Sequence, residues 1–103
     1  MKNFYEKCYE ILKNVPRGRV TTYGEIASAI GNKKSYRAVG NAMNKNTNSF
    51  ISGGNVPCHR VIKSSGEVGG FAYGQKKKIE MLKKEGIEIV HGKIDLKKFG
   101  WKS

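Results

Sequence analysis

From Ile26 to Gly66 the chain has no aspartate and no glutamate, yet it carries Lys33, Lys34, Arg37, Lys45, Arg60 and Lys63. A stretch so free of acid would attract a polyanion, and it would favour ionisation of any thiol lying within it. Cysteine is scarce: Cys8 and Cys58 are too few for a disulfide scaffold, and a reducing compartment would keep both as thiols. Metal ligation is not expected, because Cys58 and His59 are adjacent rather than spaced as a ligand pair, and only Cys8 and His91 remain to complete a site. No run approaches the ~20 apolar residues of a membrane span, and no basic amphipathic helix has a strong aromatic face, so no membrane partner is expected. The opening Met1-Lys2-Asn3-Phe4-Tyr5-Glu6 lacks the apolar core of a signal peptide, which predicts a cytoplasmic protein. Internal repeats, low-complexity tracts and a second-domain linker are also absent, so residues 1–103 read as one domain with a single modest core.

What the chain has in excess is positive charge. Twenty Lys and Arg against eight Asp and Glu give a formal charge of +12. Nucleic acid is the commonest reason for such an excess in a small domain, and a merely lysine-rich solvated surface is the alternative. Phe4, Tyr5, Cys8, Ile11, Leu12 and Val15 recur at helical spacing, predicting an amphipathic helix over 3–14 that Pro16 and Gly18 end. Cys8 lies on its apolar stripe and reads as a small buried hydrophobe. Thr22-x-x-Glu25 is a capping-box pattern for a second helix that Gly31 stops, and Ser35 is placed to cap a third, from Tyr36 to about Lys45.

Two short helices joined by a Gly-containing turn form a helix-turn-helix signal. The third is rich in small residues, with Ala38, Gly40 and Ala42 letting its backbone approach another surface, either a neighbouring helix or DNA. Gly40 costs about 1 kcal/mol of helix propensity relative to alanine, which calls for some compensation. Residues 46–57 are loop by composition, and Val61-Ile62 form a short strand. A further helix is predicted from about Gln75 to Glu85 with Gly86 beyond it. In the tail, Ile87-Glu88-Ile89-Val90 pairs with Lys93-Ile94-Asp95-Leu96 as a small hairpin. The fold class is mainly α, a winged-helix-like helix-turn-helix domain with a small β element.

Pro57-Cys58-His59-Arg60 is where chemistry is most expected. A catalytic cysteine needs a base to take its proton and a group to orient that base. His59 is the nearest base, although sequence neighbours reach each other only through a favourable turn or a bridging water. Glu85, Glu80 and Glu67 are all open as the orienting carboxylate. On these residues alone a buried structural cysteine remains the competing reading.

Four linked stretches carry a resemblance. They are Val15-Pro16-Arg17-Gly18-Arg19-Val20-Thr21-Thr22-Tyr23-Gly24-Glu25-Ile26-Ala27, Arg37-Ala38-Val39-Gly40-Asn41-Ala42-Met43-Asn44-Lys45-Asn46, Pro57-Cys58-His59-Arg60-Val61-Ile62 with Ser65-Gly66-x-x-Gly69-Gly70-Phe71, and Lys83-Lys84-Glu85-Gly86. In order and spacing they resemble the DNA-binding and active-site domain of O6-alkylguanine-DNA alkyltransferases, over roughly residues 4–86, with 87–103 as a tail.

The resemblance implies that Cys58 accepts an alkyl group from O6 of guanine in double-stranded DNA, once, without cofactor or metal. His59, through a water and oriented by Glu85, would take the thiol proton. Asn46 would brace the active-site turn, and Tyr23 would pass a proton to guanine N3. Val56, Pro57, Ser65, Gly69, Gly70 and Phe71 would wall the base pocket. The nucleotide must be flipped out to reach it. The third helix would lie in the minor groove, with Arg37 filling the vacated space and Tyr36, Ala38, Gly40, Thr22 and Lys45 contacting DNA. A monomer is expected, associated with the nucleoid when bound.

The chain departs from the family pattern. Thr47 stands where a proline commonly follows the asparagine, and Phe71 and Ala72 stand where some members have Tyr and Ser. No N-terminal domain of the kind carried by full-length members is apparent. The short length and the tail Asp95-Leu96-Lys97-Lys98-Phe99-Gly100-Trp101 resemble the alkyltransferase-like proteins, which bind alkylated DNA but usually have Trp in place of the acceptor cysteine. Lesion recognition without transfer is therefore the alternative function, and Cys58 is the residue that separates the two.

Overall fold

The computed structural model describes residues 3–45 and 53–102. Five helices and one two-stranded parallel sheet make up its regular structure, joined by two single 3-10 turns. Helix α1 (Phe4–Lys13) begins where the Asn3 side chain accepts from the Glu6 amide, and it buries Cys8 and Leu12. Strand β1 (Thr21–Thr22) runs straight into α2 (Tyr23–Ile30). Thr22 caps α2 as expected, its hydroxyl accepting from the Glu25 amide at 3.0 Å. Gly31 ends α2 in the left-handed region at φ 104°, a conformation that glycine adopts without steric cost.

The connection to α3 (Tyr36–Asn44) is built differently from the expectation. Ser35 makes no side-chain cap. Its hydroxyl donates back to the Asn32 carbonyl, and Asn32 itself accepts from the Lys34 amide, so Asn32 organises a 3-10 turn over Lys33–Ser35. Helices α2 and α3 pack directly on each other and α1 packs on both, which gives the predicted helix pair a supporting third helix. The Tyr9 hydroxyl of α1 donates to the Ala42 carbonyl of α3 at 2.6 Å.

Strand β2 (Val61–Ile62) follows a 3-10 turn at Cys58–Arg60 and pairs in parallel with β1, Thr21 opposite Val61 and Thr22 opposite Ile62. Successive strand side chains point to opposite faces. Val61 accordingly enters a core with Cys8, Leu12, Val15, Ile26, Ala27, Val39, Ala42, Met43, Val56 and Cys58, whereas Ile62 enters a second with Val20, Val68, Leu82, Ile87, Ile94 and Phe99. The turn at Cys58–Arg60 therefore sits where the two cores meet.

Helix α4 (Gln75–Lys84) ends at Glu85, close to the predicted limits. The tail differs from the expected hairpin. Val90 and Lys93 form one isolated bridge, and Leu96 starts a short helix, α5 (Leu96–Phe99), which Asp95 caps. Asp95 accepts from the Lys97 amide, and that capping bond outcompetes a strand made of two apolar positions. After α5 the chain returns to the sheet: the Val20 amide donates to the Phe99 carbonyl at 2.8 Å, and the Trp101 amide to the Val20 carbonyl at 2.7 Å. Gly100 makes this turn, and a Cβ there would collide with the Leu96 carbonyl oxygen.

Candidate active site and nucleic-acid interface

The tight turn at Cys58–Arg60 answers how three consecutive residues can serve one site. The Cys58 amide donates to the Val56 carbonyl and the Arg60 amide to the Pro57 carbonyl, both at 2.9 Å. Cys58, His59 and Arg60 are all buried, at 4%, 1% and 7% exposure. Helix α4 packs against this turn and delivers Glu85 to it.

Of the three carboxylates open from the sequence, Glu85 is the one that meets His59. Its Oε2 lies 3.1 Å from His59 Nε2. Glu80 instead pairs with Lys77 on the surface, and Glu67 accepts from the Ser65 hydroxyl. Burial alone would raise the Glu85 carboxyl, but hydrogen bonds from His59 and Arg60 outweigh it and hold the group down at about 2. An ionised carboxylate only accepts, so His59 carries its proton on Nε2, and Nδ1 is the nitrogen left with basic character.

Arg60 was expected only to add to the positive field. Its role is internal: Nε donates to Glu85 Oε1 at 2.9 Å, Nη2 to Oε2 at 2.6 Å, and Nη1 to the Val15 carbonyl at 2.9 Å. This two-pronged grip fixes the carboxylate that orients His59, and it removes Arg60 from the surface field. Arg17 completes the frame by donating to the Lys84 carbonyl at the end of α4.

A second residue that sequence reasoning missed is Lys78, at 1% exposure. Its Nζ donates to the Gly70 carbonyl at 3.0 Å and lies 5.8 Å from the centre of the Tyr23 ring. Burial lowers its pKa to about 8, against the opposing pull of a Cys58 thiolate nearby. In sequence it reads as one of three consecutive lysines, but its phase is informative: Lys78, Leu82 and Glu85 fall on one helix face. Gln75, one turn earlier, donates to the Gly69 carbonyl at 3.1 Å. Together the two side chains tie down the Gly69–Gly70 loop.

Tyr23 opens α2 beside this group, and burial followed by the nearby Cys58 thiolate raises its pKa. Val56 and Pro57 are buried, and Phe71 is half-buried against the first core with its ring 5.5 Å from that of Tyr73. Gly69 is buried beneath the exposed Gly70. Ser65 is exposed and engaged with Glu67. Asn46, expected to brace the turn, lies outside the described residues, as does Thr47.

The expected DNA face is exposed on α3. Tyr36 is 48% exposed, and Arg37 lies over its ring at 5.9 Å. Lys45 is exposed at the end of the helix, and Thr22, half-buried, spends its hydroxyl on the α2 cap. Gly40 bears on a choice that the sequence left open. A Cβ there would meet nothing within 4 Å, so close packing against a neighbouring helix does not explain the glycine among the described residues. Gly40 instead lines an open cavity of about 350 Å³ with Tyr23, Tyr36, Lys63 and Ser64. A cavity of about 370 Å³ in the tail is lined by Glu88, Val90, Lys93, Asp95, Lys98 and Phe99, away from Cys58. No group of three or more candidate metal ligands occurs among the described residues.

Comparison with known proteins agrees with this architecture. The 6-O-methylguanine DNA methyltransferase DNA-binding domain matches residues 3–87. A methylated-DNA--protein-cysteine methyltransferase of Methanosarcina acetivorans is 47% identical over 83 residues, covering 81% of this chain and 51% of that protein. A bifunctional methyltransferase/endonuclease of Picrophilus torridus is 41% identical over 97 residues, covering 94% of this chain and 31% of that protein. The chain thus spans about half or less of the length of these two relatives. Alkyltransferase-like protein 1 of Schizosaccharomyces pombe is 36% identical over 109 residues, covering 99% of this chain and 97% of that one. The crystal structure of S. pombe Atl1 in complex with damaged DNA containing O6-carboxymethylguanine superposes with a TM-score of 0.85, covering 100% of both chains at 34% identity. The chain belongs to the family defined by the 6-O-methylguanine DNA methyltransferase DNA-binding domain.

Proposed function

We propose that this chain repairs O6-alkylguanine in double-stranded DNA by moving the alkyl group irreversibly onto Cys58. The observation that carries the reading is the buried array of Cys58, His59 and Glu85, with His59 Nε2 3.1 Å from the carboxylate. Glu85 holds the imidazole in the tautomer whose Nδ1 accepts a proton. His59 takes the Cys58 proton, through a water, and leaves a thiolate. Sγ attacks the alkyl carbon; the S–C bond forms as the C–O6 bond breaks, and that electron pair stays with guanine. Tyr23 gives guanine N3 a proton and recovers one from the imidazolium through solvent. In balance the thiol proton ends on guanine and the alkyl group on sulfur. A thioether does not revert, so each molecule acts once.

Flipping is the work assigned to α3, which binds in the minor groove with Arg37 in the space the nucleotide leaves. The open surface at Gly40 supports close approach of a DNA backbone to that helix. Binding is by a monomer, with little sequence preference and a steep fall in affinity with salt.

One observation favours a second reading. A relative matched along nearly its whole length is an alkyltransferase-like protein, which supports lesion recognition without transfer. Incubation with duplex DNA containing O6-methylguanine, followed by the intact mass, separates the readings. Repair adds one methylene to the protein. Lesion-selective binding without a mass change would refute transfer and leave the sensor. Equal affinity for undamaged duplex would reduce the domain to a general DNA binder.

A further inference from the structure

We propose that the cleft between β1, the first turn of α2 and Trp101 is a site for a small organic cation, an ammonium or guanidinium head held by Glu25 and the Thr21 hydroxyl. The cleft has a volume of about 210 Å³, and Thr21, Glu25, Ser64, Trp101 and Lys102 are among its lining. Cys58, His59 and Glu85 do not line it, and the site stands apart from the transfer reading. Thr21 is 1% exposed, and its Oγ1 is buried without a hydrogen-bond partner among the described residues. A buried hydroxyl left unpaired costs stability, and a valine of the same shape would avoid that cost. Glu25 is half-buried in the first turn of α2, and among the described residues no hydrogen bond or ion pair engages its carboxylate. The chain has twenty Lys and Arg to offer, and other carboxylates take them: Glu80 pairs with Lys77, Glu85 with Arg60 and Glu88 with Lys98. The positive end of α2 favours a carboxylate at Glu25, but it gives Thr21 no partner.

The carboxylate and the orphan hydroxyl share their cleft with an aromatic ring. The Trp101 amide donates to the Val20 carbonyl at 2.7 Å, which fixes this residue beside β1, and its side chain packs partly on the first core. Ser64 brings a second hydroxyl close to α2, since a Cβ on Gly24 would come to 3.1 Å from its Oγ. A carboxylate, two hydroxyls and an indole are a set that recognises an N–H cation. The carboxylate accepts charge-assisted bonds, the hydroxyls accept ordinary ones, and the ring attracts positive charge. An anion in the same place would face Glu25. Lys102, exposed in the tail, opposes a cation and keeps the affinity modest. The volume admits a head group and a short stem, so the cation is the end of a free polyamine or a basic side chain presented by another protein.

Trp101 is the one tryptophan in the chain, so its fluorescence reads this cleft and needs no DNA. The full chain is titrated with spermidine and with N-acetyl-arginine methylamide, each against sodium chloride at matched ionic strength. A saturable change with the cations and none with the salt is expected. Tighter binding of spermidine would support the site with a free polyamine as its ligand, and tighter binding of the blocked arginine would support it with a protein side chain. Glu25→Gln should weaken binding by about tenfold and Thr21→Val by about threefold. Thr21→Val should also melt no lower than wild type, because the hydroxyl bonds nothing in the free protein, and Lys102→Ala should tighten binding. Absence of saturation, or unchanged affinity in folded Glu25→Gln or Thr21→Val, would overturn the proposal. Saturable binding of inorganic phosphate that weakens in Lys102→Ala would overturn it as well, making the cleft an anion site.

Discussion

Cys8 and Cys58 belong to one hydrophobic core and are both buried, yet their surroundings give them opposite chemistry. Cys8 lies inside α1 at 0% exposure, and burial pushes its pKa up to about 11 against the opposing effect of a backbone hydrogen bond. It is a hydrophobe that happens to contain sulfur. Cys58 sits at the seam between the two cores, beside an imidazole held by an ionised carboxylate and near a buried ammonium. Burial by itself silences a thiol. What makes a buried thiol useful is the polar apparatus brought in with it, here from the 3-10 turn at Cys58–Arg60 and from α4.

The largest effect expected is the loss of transfer in Cys58→Ser with duplex binding retained, measured by mass and by DNA titration. Retained transfer would mean that the comparison points to the wrong sulfur. Glu85→Gln comes next, because it leaves Arg60 buried without its carboxylate. Stability should fall by about 3 kcal/mol in denaturant titration, and transfer should slow with it. The pH dependence has a definite sign. Glu85 is held below its ordinary value, so its contribution is complete above about 4.5 and is lost as the pH falls through about 2. Melting curves of wild type and variant should therefore converge in acid.

Arg37→Ala tests the outer face of the site. Transfer from duplex DNA should slow by about tenfold, while transfer from single-stranded DNA, where no vacated space needs filling, should not change. Equal slowing on both would remove Arg37 from flipping. The smallest effect is expected of Cys8→Ala, with about 1 kcal/mol of stability lost and no change in transfer.

Helices α1 and α2 were legible through the α1 stripe, the Thr22 cap and the Gly31 stop, whereas α3 forms without the expected Ser35 cap and α5 stands where a strand was expected. The parallel pairing of β1 with β2 was not, since strands of two residues have no period to read. Cys58, His59 and Glu85 were recognisable as types, and the resemblance singled out Glu85; on the residues alone Glu67 and Glu80 stayed open, and it is the packing of α4 on the Cys58 turn that separates them. Arg60 and Lys78 were hidden by their charge. In sequence a lysine or arginine counts toward a basic surface, and only burial turns it into part of a site.

The most direct test of the contrast between the two sulfurs is peptide mapping after a single incubation with duplex DNA containing O6-methylguanine. The prediction is one methyl group on the peptide that contains Cys58 and none on the peptide that contains Cys8. A methyl group on Cys8, or unmodified Cys58 after tight lesion-selective binding, would contradict it.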